Sequence, residues 1–407
     1  MSGKKKLAIV TTHPIQYHAP WMIRLAEKGI QIKVFYTWEQ ARSGTLYDPG
    51  FGKDIKWDLP LLEGYDYQFV KNTSSRPDNR HFRGIINPDL NKEIEAWGPD
   101  SLLIFGWNYH SHLRCMRYFH KKVPVIFRGD SVLLHEKKGL WKLARRLFLN
   151  WVYRYVDYAL YVGTHNKSYF LKHGLHASQL IFAPHAIDIE RFAEPTPDYL
   201  RRAESWKKEL NIPANHITVL YAGKMIPVKN PGFVIDLAEA CKGLPVSFIL
   251  VGNGSLKPSL QKLAKGNKRI IFLDFQNQTL MPAVYRLGDV YIMPSLSETW
   301  GMGINEALAC GRPVMASEEV GCAADLILEN RTGITFKADD IEKCARFLQE
   351  LCRDRQRLAD MGNDAASLIQ FFTFAHIVDS IGHIMGRLNR KTPRPDPESP
   401  VAAEAIV

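Results

Sequence analysis

Two carboxylates, Glu298 and Glu306, stand with seven residues between them in the stretch SLSETWGMGINEALACG (295–311), on either side of Gly301, Met302 and Gly303. The apolar run VYIM (290–293) before it predicts a strand, 294–300 a loop, and 301–309 a helix closed by Gly311. A helix N-terminus delivered by such a loop offers free backbone N–H groups and a positive dipole end, which suit phosphate, and glycines let the phosphate come close. Glu306 then lies about one turn inside the helix while Glu298 precedes it, so the pair can bracket opposite ends of one elongated ligand. Carboxylates accept hydrogen bonds from vicinal hydroxyls such as those of ribose or a hexose. The bland alternative is a capping Glu298 and a solvent-facing Glu306. Metal chemistry has little support, because the six cysteines show no CxxC pair and no zinc-ligand spacing.

Positioning these groups is a task for alternating strands and helices. Apolar runs at 7–10, 32–36, 101–105, 123–127 and 158–162 read as strands, and 19–28, 111–121 and 140–156 as helices between them. Prolines, charges and one short helix fill 184–216. A second series of strands then begins at 218–222, 246–251, 269–273, 290–293 and 313–316. With 407 residues the chain exceeds one hydrophobic core. The expectation is α/β: two Rossmann-like doubly wound domains, 1–185 and 186–370, with a ligand cleft facing the carboxyl ends of both sheets. A helix at 371–390 is expected to cross back to the first domain, and the Pro-rich 391–407 to form a disordered tail. The formal net charge of +11 fits a nucleotide, an anionic surface or a nucleic acid. No zinc-finger or RNA-reading motif supports the last. An N-terminal apolar run too short for a signal peptide, together with unpaired cysteines, predicts a cytoplasmic protein.

A set of ordered motifs adds a resemblance. The stretch 295–311 is similar to the E-x7-E signature of the family-4 retaining glycosyltransferases of GT-B fold. YAGKMIPVKN (221–230) resembles that family's first strand of the second domain, VGNG (251–254) its glycine turn, and GDVYIMPS (288–295) its strand into the signature. VG (320–321), NRTGITF (330–336) and, in the linker, APHAIDIERF (183–192) match further segments. The resemblance is strong over 180–340 and looser before. It implies that Lys224 and Lys229 grip a donor diphosphate, as cations suited to charge developing on a leaving nucleotide. It also implies that Glu306 holds the nucleotide ribose, that Glu298 acts near the donor sugar, and that backbone N–H groups around Gly301, Met302 and Gly303 face the phosphates. Gly223 belongs to the same donor loop. Asp274 replaces a glycine common in the family near the base, which leaves base preference open.

The first domain departs further from the family. Its loop TTHPIQYHAP (11–20) has no glycine where many relatives carry a Gly-Gly pair, and it offers His13, Gln16, Tyr17 and His18 instead. It resembles a subgroup of bacterial sugar transferases that begin with HPIQY. A Pro-bounded turn with His13 or His18 capping the next helix is the structural alternative. RGDS (128–131) stands where many relatives have His-Asp, so Arg128 and Asp130 become candidates for a sugar hydroxyl or the acceptor; an Asp-Ser turn would explain Asp130 equally. Asn108 and His110 in GWNYH (106–110) follow another strand end and are weaker acceptor-side candidates.

The segment LWKLARRLFLNWVYRYVDY (140–158) has apolar residues at helical spacing with basic ones between, which fits a core helix or a basic helix on an anionic membrane. The core role is favoured, with peripheral contact on the inner membrane face through exposed basic residues, toward a lipid-linked acceptor, as the other expectation. The expected function is transfer of a hexosyl group from a nucleotide-diphosphate sugar to a hydroxyl of a glycan, lipid-linked or small-molecule acceptor. Retention of configuration, no metal, no cofactor beyond the donor, and a place in surface-polysaccharide or other glycoconjugate synthesis are what the resemblance implies. The rivals are a nucleotide-sugar-binding scaffold without turnover and a GT-B sugar-nucleotide epimerase. A phosphorylase of glycogen type would need a much longer chain.

Overall fold

The computed structural model describes residues 5–136, 139–193 and 196–387, so the tail expected at 391–407 lies outside the described residues. Fifteen strands occur among them: β1 (Lys6–Thr11), β2 (Gln31–Tyr36), β3 (Thr45–Asp48), β4 (Lys53–Lys56), β5 (Asp66–Phe69), β6 (Ser101–Phe105), β7 (Val125–Arg128), β8 (Tyr158–Tyr161), β9 (Leu180–Phe182), β10 (Ile217–Ala222), β11 (Val246–Val251), β12 (Ile270–Leu273), β13 (Val290–Met293), β14 (Val314–Ser317) and β15 (Gly333–Phe336).

The chain divides into two units. The first holds a seven-stranded sheet of order β5-β2-β1-β6-β7-β8-β9, parallel throughout. Its central strands β1, β6 and β7 read as near-continuous apolar runs, as parallel strands buried on both faces do, while the edge strands β5 and β9 are only part-buried. Leu7, Ala8, Ile9 and Val10 of β1 and Leu102, Leu103 and Ile104 of β6 are all fully buried. The order reverses between β1 and β6, so the loops leaving these two strands, 12–18 and 106–109, flank the switch point where doubly wound sheets take ligands.

The second unit holds a six-stranded parallel sheet of order β12-β11-β10-β13-β14-β15. Its core gathers Val219, Tyr221, Phe248, Leu250, Val290 and Ile292 with Phe233, Leu237 and Phe347 from helices. Here the order reverses between β10 and β13. Loops 223–231 and 294–301 therefore leave adjacent strands side by side.

Two segments depart from simple sequence order. Residues 45–59, placed by the sequence with the first domain, pack with the second unit. They form the antiparallel hairpin β3–β4, fixed there by Asn277 Nδ2 donating to the Lys56 carbonyl at 2.8 Å and by Thr279 bonding to the Asp58 carboxylate. The helix Phe374–Arg387 belongs to the first unit. Ser380 Oγ donates to the Phe182 carbonyl at 2.6 Å, and Lys28 pairs with Asp379.

Candidate active site

In the second unit, the helix expected at 301–309 runs Met302–Ala309, and Gly301 caps it with φ +104°. That left-handed conformation suits glycine. A Cβ on Gly301 would also lie 2.9 Å from Met293 Sδ and from Val320 Cγ1. At Gly303 a Cβ would meet the hydroxyl of Tyr291 at 2.5 Å and that of Tyr285 at 3.1 Å. The glycines expected for close approach of a phosphate thus have packing reasons of their own, and Gly303 is occupied on its Cβ side by two tyrosines.

The loop carrying Glu298 is held at several points. Leu296 N–H donates to the Val228 carbonyl at 2.9 Å, tying the β13 loop to the β10 loop. Glu298 N–H donates to the Glu319 carbonyl at 3.1 Å, and Gly321 N–H to the Glu298 carbonyl at 3.0 Å. Trp300 Nε1 donates to Asn305 Oδ1 at 2.8 Å, and Asn305 Nδ2 donates to the His185 carbonyl at 3.0 Å. A buried Trp and a fully buried Asn therefore lock the loop to its helix. Such support gives a site on a loop the rigidity of its scaffold.

Within this frame Lys229 forms an ion pair with Glu298, the two side chains 26% and 20% exposed. Lys229 closes a short 3-10 turn, Pro227–Lys229, followed by Asn230 at φ +49°. Glu298 is therefore a charge partner of the lysine expected at the diphosphate, not a helix cap. Glu306 is 3% exposed, which removes the solvent-facing alternative. Its Oε2 accepts the Tyr285 hydroxyl at 2.7 Å. Burial, then Tyr221 and Glu306, push the neighbouring Tyr291 phenol well above its ordinary value. Tyr291 stays a neutral donor, 3.3 Å from the Ala222 carbonyl at the end of β10.

Lys224 and Gly223 follow β10 directly. The Tyr221 hydroxyl donates to the Lys224 carbonyl at 2.7 Å, fixing the turn. Lys224 Nζ lies 2.8 Å from Asp48 Oδ2 of the hairpin, with side chains 33% and 26% exposed. Its shaft runs so close to Gly50 that a Cβ there would sit 2.6 Å from Lys224 Cδ. Asp274 is exposed and paired with Lys257, which holds its carboxyl below the usual range. Beside it Phe275 packs edge-on against Phe51 at 4.9 Å, with Lys53 over its ring at 3.9 Å. Among the described residues no group of three His, Cys, Asp or Glu is gathered as metal ligands.

In the first unit, His18 takes the N-cap position of the helix Ala19–Glu27 but makes no side-chain cap bond. Its ring packs on Phe105 at 4.6 Å instead, which corrects the capping alternative for His18. His13 Nδ1 lies 2.8 Å from Thr12 Oγ1, and burial holds its imidazole down at about 4, so it is neutral at pH 7. Gln16 and Tyr17 sit in the turn between them, part-exposed. Asn108 is exposed in the loop after β6. His110 opens the helix His110–Phe119, with burial first and then Arg114 and Arg83 depressing its pKa. Asp130 is exposed beyond β7.

Arg128 is not an acceptor-side group. It is 2% exposed, and its Nη1 and Nη2 donate to the carbonyls of Ala183 and Pro184 at 2.8 and 3.0 Å. The guanidinium fork clamps the two residues that directly follow β9, and its burial lowers the pKa to about 10. The sequence also passed over His112, fully buried, with Nδ1 2.8 Å from the Phe105 carbonyl and Nε2 2.8 Å from Thr37 Oγ1. It binds the ends of β2 and β6 together. Asp48 and Tyr285 were missed as well. Only the turn signal DPGFG (48–52) points to a hairpin, and no local pattern says where it docks.

Residues 202–368 match the protein family described as "Glycosyl transferases group 1". D-inositol 3-phosphate glycosyltransferase of Rhodococcus erythropolis is 28% identical over 190 residues, 44% of this chain and 43% of the relative. The enzyme of the same name from Corynebacterium efficiens is 31% identical over 191 residues, 44% of this chain and 45% of the relative. The chain thus spans less than half the length of these curated relatives. Among solved structures, Anabaena Alr3699/HepE in complex with UDP and glucose superposes with a TM-score of 0.69 at 18% identity, over 94% of this chain and 99% of that one. Sucrose-phosphate synthase of Thermosynechococcus elongatus gives 0.69 at 18% identity, over 96% and 100%. The fold is that of the GT-B glycosyltransferases, mixed α/β with parallel sheets in two Rossmann-like domains, and residues 202–368 match the group 1 glycosyl transferase family.

Proposed function

We propose that this chain is a retaining glycosyltransferase that moves a hexosyl group from a nucleoside-diphosphate sugar to a hydroxyl of a glycan, lipid-linked or small-molecule acceptor. One observation carries the reading. Lys229, Glu298, Lys224 and the capped helix N-terminus at Gly301 all stand on the two loops that leave β10 and β13, where the strand order of the second sheet reverses.

In this mechanism Lys224 and Lys229 bind the diphosphate, and the first-turn N–H groups of Met302 and Gly303 face its oxygens. Glu306 accepts from the ribose hydroxyls, with Tyr285 orienting its carboxylate. Glu298 has two tasks, holding Lys229 in place and accepting from the donor sugar. As the glycosidic C–O bond to the β-phosphate breaks, negative charge grows on the leaving diphosphate beside the lysines, which stabilise it most in the transition state. The acceptor oxygen bonds to the anomeric carbon on the same face, and its proton passes to the leaving phosphate oxygen. The lysines and helix N–H groups carry the electrostatic load, so no metal is required by this scheme. A structural neighbour solved with UDP and glucose supports a nucleotide sugar as donor. We place the reaction in glycoconjugate synthesis at the cytoplasmic side.

The experiment is release of nucleoside diphosphate from a panel of sugar nucleotides, followed by proton NMR of the product's anomeric signal. Turnover of one donor with the anomeric configuration kept supports the reading. Binding without release under every acceptor favours a scaffold, and interconversion of the donor's own sugar favours an epimerase.

A further inference from the structure

The helix Leu140–Tyr153 of the first unit faces the wrong way for a core helix. Leu149, Val152 and Tyr153 are buried, but Trp141, Leu143, Leu147 and Phe148 are 83%, 59%, 63% and 40% exposed. At about 100° per residue, Leu143 and Leu147 fall on the side away from the buried three, while Trp141 and Phe148 lie within about 40° of Val152 but in the first turns, 141–148, where every residue except Lys142 is exposed. The core role favoured from the sequence thus holds for the last turns, while the large apolar side chains of the first turns stand in solvent. Four such side chains exposed within eight residues mark an interaction surface.

The surroundings indicate what covers it. Phe148 packs on Trp107 at 5.3 Å and on Trp151 at 5.8 Å, and Trp151 packs on Tyr155 at 5.5 Å, extending the patch as an aromatic belt. Arg117 lies 5.4 Å over the Trp151 ring and Arg154 5.7 Å over the Tyr155 ring. Next to them Arg114, Arg117, Tyr118, Tyr155 and Asn91 line a shallow depression. Arg146 is exposed on the helix itself, and residues 140–156 contain no Asp or Glu. Leucines and tryptophan tips rimmed by arginines and tyrosines match the acyl-to-headgroup boundary of an anionic bilayer. A second copy of the same face would bring arginines against arginines, which disfavours symmetric pairing.

We infer that this face of the first unit is a membrane-docking surface for anionic phospholipid, with Trp141, Leu143, Leu147 and Phe148 entering the interface and Arg114, Arg117, Arg146 and Arg154 meeting the headgroups. The surface is independent of the donor site, so its failure and that of the proposed function are separable.

The test is co-flotation of the full chain with vesicles of phosphatidylglycerol and phosphatidylcholine against vesicles of phosphatidylcholine alone. Wild type should float with the anionic vesicles and lose most of that binding in high salt. Trp141→Ser with Leu147→Glu should weaken partition at least tenfold, and Arg146→Glu with Arg154→Glu should weaken it too and flatten what remains of its dependence on salt. Each variant should keep the wild-type melting temperature and nucleoside-diphosphate affinity, since these side chains are exposed. Wild type that ignores anionic vesicles overturns the inference, as do equal partition of the Trp141→Ser, Leu147→Glu variant and a concentration-dependent dimer in sedimentation that this variant abolishes.

Discussion

Replacing Asp48 by Asn should tighten the binding of a nucleoside diphosphate. Asp48 Oδ2 lies 2.8 Å from Lys224 Nζ, while Asp48 Oδ1 accepts from the N–H groups of Gly50 and Phe51 at 2.8 and 3.1 Å. Asn keeps an oxygen for the two backbone bonds, so the hairpin turn survives and only the negative charge is removed. In the proposed site this carboxylate competes with the diphosphate for Lys224. A charge-assisted bond is worth ~1.5–3 kcal/mol when well buried, and an exposed ion pair ~0.2–1 kcal/mol. With side chains about one-third and one-quarter exposed, the pair belongs near ~1 kcal/mol, a gain of about fivefold in affinity. Calorimetric titration of the two proteins at low and high salt measures it, and the gain should shrink as salt screens the phosphate. Unchanged or weaker binding by the variant would show that Asp48 orients Lys224 for the ligand, and would refute the competition.

Three other outcomes follow from the same geometry. Lys229→Ala should lower turnover on the order of a hundredfold, the size of effect typical of losing one charge-stabilising donor in a transition state; steady-state rates near wild type would remove Lys229 from the phosphate site. Gly301→Ala should destabilise the second unit, with ~1–2 kcal/mol from the left-handed backbone and ~1–3 kcal/mol from crowding against Met293 and Val320; urea unfolding that matches wild type would contradict it. Burial lowers the His112 pKa from 6.5 to about 4, so the folded protein holds this imidazole neutral where the unfolded chain protonates it. Its contribution is complete above pH 6.5 and is lost as the pH falls from there through 4, by up to ~1.4 kcal/mol per pH unit. A His112→Gln variant should flatten that slope in unfolding experiments at successive pH values, and a slope equal to wild type would show that His112 does not titrate on unfolding.

Much of the second sheet was legible because buried parallel strands write themselves as apolar runs. VYIM at 290–293 and SFIL at 247–250 are examples, and the glycines at 301 and 311 mark the ends of the helix between β13 and β14. β9, three part-buried residues long, and β15, whose four residues include a glycine and a threonine, carry too little apolar pattern to be seen alone. The partner of each charged side chain was not legible, since pairing is a tertiary property. Lys229 with Glu298 and Lys224 with Asp48 join residues 69 and 176 positions apart. Arg128 misled for the same reason: a strand-end arginine looks like a ligand group until its fork is seen on the carbonyls of Ala183 and Pro184. The exposed face of 140–153 was ambiguous because helical spacing gives the width of an apolar stripe but not the side on which the core lies.

The central claim, that the loops after β10 and β13 bind a nucleoside diphosphate with Glu306 on its ribose, is tested most directly by calorimetric titration of wild type and Glu306→Ala with nucleoside diphosphates and their 2′,3′-dideoxy analogues. The account predicts that wild type prefers one ribonucleotide and loses about tenfold or more with its dideoxy analogue, as expected for ~1.5–3 kcal/mol of hydrogen bonding to a charged group. Glu306→Ala should bind both equally and weakly. Equal affinity of wild type for the two, or full affinity in Glu306→Ala, would contradict it.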